Sequence, residues 1–431
     1  MKTTKFYLKK ELRENVLVFN TTNTLYSYLP YDIYNKYFIE KIYTPNDNYF
    51  LELKQKKFIF EDTYDEDFQQ YLIRKGTTLK KESPSIWILP TTLCNAQCFY
   101  CYEKYDDDLR TMDEKTRKAV VNFILKDLKN KNSNHLDIEW YGGDPLVGHK
   151  VITKICEDLI NEGIDICSRM VSNMGLMTRE MCDTAKNIWK LERINTTIDA
   201  IGQEYCDIKN FREHKDGTFY FDKLVDNIFY LMKNEIMVEI KINFDPMHIE
   251  RAIKVCDFVK KTFGINKYLR MYVTPIIDKG IRTVYEPFPE FEEHPYLTLF
   301  KKLVDCGCMH EAKQFFLEPK NINYYNPHPI DYVIAPDGSL YRFPRHISTG
   351  KHMAIGNIYD GIVVEKSLSG RNFIGLKPNE FLKDECKNCK ILPSCQKEWK
   401  IDKPKCLKIL PIAEDVMYLY VKQKETEDCL C

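Results

Sequence analysis

No charge of either sign is in excess: 63 lysines and arginines face 63 aspartates and glutamates over 431 residues. No basic block stands out, so the electrostatic footprint that nucleic-acid binding needs is missing. Long apolar runs are missing as well. Nowhere do about 18 apolar residues follow one another, which argues against a membrane-spanning helix. The N-terminal stretch "MKTTKFYLKKELRENV" carries charges at both ends and no apolar centre, so it does not read as a secretory signal. These absences predict a cytoplasmic protein with neither nucleic-acid nor membrane partners.

Cysteine, by contrast, is plentiful, with 16 residues. In a reducing compartment that number is not a disulfide framework, and tight spacings point to metal or catalysis. A chain of this length exceeds one ordinary core, so a large domain with smaller appendages is expected.

Residues 1–84 contain "ENVLVFNTTNTLYSYL", two β-rich runs around an Asn/Thr turn, followed by the helix-like "PYDIYNKYF" and "NDNYFLELKQKKFIFED". A small α+β module is expected there, with a linker at "KGTTLKKESP". From Ser85 the pattern alternates. Strands at "SIWILP", "HLDIEWY", "SRMVSN", "RINTTID", "MVEIKINF" and "YLRMYVTPI" are separated by amphipathic helices. Six strands so spaced predict an α/β fold with a parallel array over 85–309, whose chemistry sits at the carboxyl ends of the strands. Over 310–431 the alternation stops, and turns such as "APDGSL" and a cysteine-rich stretch predict a separate C-terminal domain.

Two cysteine groups carry the chemistry. Cys94, Cys98 and Cys101 form CxxxCxxC at the end of the first array strand. Three thiolates leave a metal ion, or one iron of a cubane cluster, with an open position, which a catalytic site requires. The second group is Cys386, Cys389, Cys395 and Cys406, four thiolates that would close either a cluster or a structural zinc site.

The first motif, with Tyr100 before its last cysteine, resembles that of the radical S-adenosylmethionine (SAM) enzymes. The resemblance covers about residues 85–276 and implies a partial (β/α)6 barrel. In that family the three cysteines hold a [4Fe-4S] cluster, the fourth iron chelates SAM, and one electron cleaves SAM to a 5′-deoxyadenosyl radical. "WYGGDPL" resembles the family's GGEP segment. It implies that Gly142 and Gly143 admit the ligand and that Asp144, in place of glutamate, meets the SAM ammonium. "VSNMGL" implies contacts from Ser172 and Asn173. "TTIDAIGQEYCDIKNFREHKDGTF" implies that Thr197 meets the ribose and Arg212 the SAM carboxylate.

The second group resembles part of the SPASM extension of peptide-modifying radical SAM enzymes. Phe343 and Trp399 stand where two of its cysteines belong, so the resemblance implies one auxiliary [4Fe-4S] cluster, on Cys386, Cys389, Cys395 and Cys406. The pairs Cys306/Cys308 and Cys429/Cys431 are either a further thiolate set or a turn and a tail. Cys156, Cys167, Cys182, Cys206 and Cys256 read as small core residues.

Peptide maturation is the function implied: a thioether or carbon-carbon crosslink in a ribosomally made precursor, whose leader adds a strand to a winged-helix-like N-terminal module. A flavodoxin or ferredoxin would donate electrons. The alternative that residues 1–84 merely pack against the barrel stays open. Formylglycine formation, as in anaerobic sulfatase maturases, is disfavoured because Pro344 stands where that class has an aspartate. A metal-stabilised binding protein without enzymatic activity is the third reading, and the missing fourth ligand of the first motif speaks against it. No general base is identified.

Overall fold

The computed structural model describes residues 1–69, 84–101, 103, 109–245, 248–276, 295–307, 332–363, 388–394 and 412–428. Its N-terminal part begins with β1 (Lys2–Thr3) and a three-stranded antiparallel sheet of β2 (Tyr7–Glu11), β3 (Asn15–Asn20) and β4 (Tyr26–Pro30). α1 (Tyr31–Tyr34), α2 (Asn48–Gln55) and β5 (Ile59–Phe60), which pairs with β1, complete it. The central strand is apolar at nearly every position because both its faces are covered. Alternation along β3 sends Val16 and Val18 into a local core with Leu29, Tyr37 and Phe50. Leu17 and Phe19 point the other way, into the main core.

The expected array is present. β6 (Ser85–Thr91), α3 (Glu114–Asn130), β7 (His135–Gly142), α4 (His149–Asn161), β8 (Asp165–Val171) and α5 (Arg179–Asn187) alternate in turn. β9 (Leu191–Thr197), α6 (Gln203–Lys209), α7 (Phe219–Lys233), β10 (Met237–Phe244), α8 (Glu250–Phe263) and β11 (Leu269–Pro275) follow. The six strands are parallel and lie in chain order. Helix starts follow their sequence signals: the Asp113 carboxylate accepts from Thr116 N at 2.7 Å and the Thr178 hydroxyl accepts from Met181 N at 3.2 Å. On β10, Val238, Ile240 and Ile242 are buried in the helix-side core. Glu239, Lys241 and Asn243 alternate onto the open face.

Beyond β11 come α9 (Pro295–Asp305), β12 (Val333–Ile334), β13 (Ser339–Tyr341), α10 (Pro344–Thr349), β14 (Gly356–Asn357), β15 (Gly361–Ile362) and α11 (Ala413–Asp428). The sheet runs through the expected boundary at residue 310. β12 pairs in parallel with β6, Val333 opposite Trp87, and β13 to β15 extend it as an antiparallel meander to ten strands. "APDGSL" is the hairpin turn between β12 and β13. Gly338 there takes φ +83°, and Asp337 accepts from Ser339 N at 2.9 Å.

α11 returns to the N-terminal sheet. Phe19 meets Tyr420 edge-on at 5.8 Å, Tyr28 donates to Glu425 at 2.7 Å, and Lys10 pairs with Asp415. Thr21 donates to the carbonyl of Lys390, next to Cys389, at 2.6 Å. Among the described residues no helix is long and apolar enough to cross a membrane.

Candidate cofactor site at the carboxyl end of the parallel strands

β6 ends at Thr91 and the cysteine loop begins three residues later. Its backbone is pinned from two sides. From the turn after β7, Asp144 N donates to Leu93 O at 2.9 Å. From the segment after α6, Arg212 N donates to Asn95 O at 2.8 Å, and Gln97 N donates to Lys209 O at 2.9 Å. Cys101 N closes a turn onto Cys98 O at 3.1 Å.

All three cysteines are partly exposed and free of disulfides. Cys94 Sγ accepts from Ala96 N at 3.4 Å and from Asn173 Nδ2 at 3.8 Å. Burial, then the Asp144 carboxylate, pushes the Cys94 thiol up to about 12. Such a thiol ionises when a metal compensates its charge. Among the described residues no three Cys, His, Asp or Glu side chains gather around a single-ion position. A cubane takes one thiolate per iron, which three spaced thiols of one loop can supply. The buried Nδ2 of Asn95, beside Cys94, has no hydrogen-bond partner in the protein, and sulfide or thiolate sulfur would accept from it.

The two glycines are required by close approach. A Cβ on Gly142, at φ +130°, would stand 2.2 Å from Thr91 O, and one on Gly143 would stand 2.5 Å from Leu93 O. Asp144 caps the helical turn that follows β7. Only 1% exposed, it accepts from Leu146 N at 3.0 Å, Asn173 N at 2.8 Å and the Ser172 hydroxyl at 3.0 Å. One methylene shorter than glutamate, it is drawn under the loop after β8, where it orients Ser172 and Asn173. Burial pushes its carboxyl up to about 6 despite those donors.

Thr197 and Tyr100 converge on a side chain that sequence reasoning missed. Lys209 is 1% exposed and Asp199 2%. The Lys209 ammonium donates to Asp199 Oδ2 and to the Tyr100 hydroxyl, both at 2.6 Å, and to the Thr197 hydroxyl at 2.5 Å. Tyr100 donates in turn to Asp199. Asp199 Oδ1 accepts from Asn243 N at 2.9 Å and Asn243 Nδ2 at 3.0 Å. Burial works against the charge on Lys209, yet Asp199, then Tyr100, hold its ammonium well above the ordinary lysine range. Burial likewise raises Tyr100. Arg212 commits its Nε to the Cys94 carbonyl at 2.9 Å.

Cys389 is half-buried, while Cys386, Cys395 and Cys406 lie outside the described residues, as do Cys308, Cys429 and Cys431. Cys306 is 1% exposed and donates to Cys256 O at 3.5 Å, a core contact. Cys156, Cys182 and Cys256 are buried as expected, and Cys167 and Cys206 only partly so.

Comparison with known proteins bears on the same stretch. A 4Fe-4S single cluster domain family matches residues 85–204, from β6 through the start of α6. A radical SAM cyclopropyl synthase, TigE of Paramaledivibacter caminithermalis, is 22% identical over 344 residues, 72% of this chain and 66% of that one. The chain is thus similar to a radical SAM enzyme over most of its length and to a 4Fe-4S cluster domain over its first parallel strands. The cluster named by that family model falls on the stretch that holds Cys94, Cys98 and Cys101. An uncharacterized protein of Methanocaldococcus jannaschii is 28% identical over 130 residues, 30% of this chain and 41% of its own length. The chain thus spans less than two thirds of these two relatives. Among solved structures, native anSMEcpe with bound AdoMet and Cp18Cys peptide matches with a TM-score of 0.57 at 16% identity, covering 80% of this chain and 99% of that one. The same protein with bound AdoMet alone gives 0.58 at 18% identity, over 79% and 99%. These two likenesses concern the fold.

Proposed function

We propose that the chain is a peptide maturase: a partial (β/α)6 barrel at 85–309, a peptide-recognition module at 1–84 and an auxiliary-cluster domain at 310–431. One observation carries the reading, the loop with Cys94, Cys98 and Cys101 at the carboxyl end of the first parallel strand, braced by the glycine turn and by Lys209 to Arg212. Bound there and reduced, cluster and SAM supply a 5′-deoxyadenosyl radical able to take hydrogen from an unactivated carbon.

The chain's own residues hold and orient. Cys94, Cys98 and Cys101 would hold the cluster through their thiolates, and Gly142 and Gly143 leave room for the backbone and cofactor to approach. Asp144 sets Ser172 and Asn173 beside Cys94, while Thr197 and Arg212 border the nucleoside and amino-acid ends of SAM. Where β6, β7 and β12 adjoin, the partly buried rings of Trp87 and Tyr141, 5.1 Å apart, pack over the buried Leu89 and Val333, an apolar footing suited to peptide side chains.

The bond formed is a thioether or carbon-carbon crosslink, and the relative named a cyclopropyl synthase favours the second. A neighbour holding both AdoMet and a peptide supports the precursor-peptide partner. Cys386, Cys389, Cys395 and Cys406 would hold an auxiliary [4Fe-4S] cluster, which would supply one-electron chemistry, with flavodoxin or ferredoxin as donor in the cytoplasm. The contact from Thr21 to the residue after Cys389 supports communication between the N-terminal module and that cluster.

The test uses full-length chain loaded anaerobically with iron and sulfide, given SAM and dithionite. Release of 5′-deoxyadenosine is expected and should vanish in the Cys94→Ala variant. A short peptide encoded beside the gene should then lose two hydrogens, read by mass spectrometry. Absence of SAM cleavage by the loaded chain would sink the reading.

A further inference from the structure

We propose that Lys241 is a docking point for a carboxylate of the bound reactants. The inference rests on the radical SAM reading above and adds a residue that none of the sequence motifs contains.

The open face of the sheet carries a row of cations, and the others there have acidic partners. Arg193 reaches Glu239 at 3.1 Å, Arg270 approaches the same carboxylate at 3.8 Å, and Arg169 lies 3.5 Å from Asp137. Lys209 is paired with Asp199 at 2.6 Å. Lys241 sits amid them on β10, opposite Thr197 on one side and Tyr272 on the other. Among the described residues its ammonium has neither a hydrogen bond nor an ion pair, although the side chain is only partly exposed.

The charges near it do not substitute for a partner. Asp199 and Glu103 favour its ammonium from beyond ion-pair distance and Lys209 opposes it, while burial, the largest influence, lowers its pKa. Asp199 is committed elsewhere, one oxygen to Asn243 and the other to Lys209 and Tyr100. A cation withdrawn from water without a counter-ion is costly, and an anion brought from outside offsets that cost.

Position selects the anion. Lys241 is in register with Thr197, whose hydroxyl takes the same Lys209 ammonium that holds Tyr100 in the cysteine loop. It therefore borders the place where SAM and substrate meet. Both reactants carry carboxylates, SAM at its methionyl end and a peptide at an aspartate or glutamate side chain.

The two sources separate in one experiment. Lys241→Met keeps the length and removes the charge, and Lys241→Arg keeps the charge and controls for folding. With cluster-loaded full-length protein, equilibrium dialysis measures SAM and decarboxylated SAM, and ligand-observed NMR measures N-acetyl-glutamate methylamide as the stand-in for an acidic peptide residue. A charge-assisted contact predicts a loss of about 10- to 100-fold in Lys241→Met, largely restored in Lys241→Arg. If the loss falls on SAM and spares decarboxylated SAM, the cofactor's carboxylate is the ligand. If it falls on the acyl-glutamate and spares SAM, the peptide's is. Unchanged affinity for both probes in Lys241→Met overturns the inference, as does a loss that extends equally to decarboxylated SAM. Reductive SAM cleavage by the unsubstituted protein tests the radical SAM reading separately, so the two can fail independently.

Discussion

Lys209 ties the cysteine loop to the far strands. Its backbone carbonyl takes Gln97 N, and its ammonium is shared by Asp199, Tyr100 and Thr197. Replacing it with methionine strands a buried carboxylate, so Lys209→Met should cost about 3–5 kcal/mol in denaturant unfolding. Lys209→Met combined with Asp199→Asn should recover part of that loss, because the uncompensated charge is gone. Equal destabilisation in single and double variants would show that the ion pair is not what matters. Sequence alone pointed to Tyr100 and Thr197 but not to the cation between them. A lysine in the polar string "CDIKNFREH" reads as solvated, and only the fold brings it under Asp199. Cys94, Cys98 and Cys101 stand out in the sequence because their spacing is itself a chemical signal. Asp144 was legible as a site residue but not in its orientation, which depends on where Ser172 and Asn173 come to lie.

At the scale of elements, the parallel strands divide their residues between a helix-covered apolar face and an open polar one. That division places Glu139 on β7, beside Arg169 on β8 and near Arg193 on β9. Burial outweighs those arginines and pushes its carboxyl up to about 7 from an ordinary value of 4.5. The native state therefore keeps a proton that the unfolded chain releases. The associated stability is full below about pH 4.5 and is lost as pH rises through about 7. Glu139→Gln should flatten that part of the pH profile and gain about 1–3 kcal/mol over the unsubstituted protein at pH 8, read from denaturant unfolding at both ends of the window. An unchanged slope would mean that Glu139 ionises as freely in the native state as in the unfolded one. Strands and helices of the array were legible from periodicity, since each is long enough to repeat its pattern. β12, β14 and β15 were not, because two residues cannot show alternation, and their membership of the main sheet follows from pairing with distant strands.

Across the whole molecule, α11 clasps the N-terminal sheet to the main core. Tyr420 is 2% exposed against Phe19, and Tyr420→Ala should cost about 3–5 kcal/mol. The same substitution should raise amide exchange in β2 and β3 ahead of β7 to β10, as measured by hydrogen-deuterium exchange. Uniform loss of protection would mean that the two parts open as one unit. No local pattern in "VLVFN" announced that partner; the run read only as one β-rich strand beside an Asn/Thr turn. The Lys10 to Asp415 pair spans 405 positions of sequence. At ribosomal speed those positions take about 20 to 80 s to synthesise. For that interval Leu17 and Phe19 wait on the nascent chain with their cover unmade, an apolar sheet face that a holdase chaperone would be suited to shield.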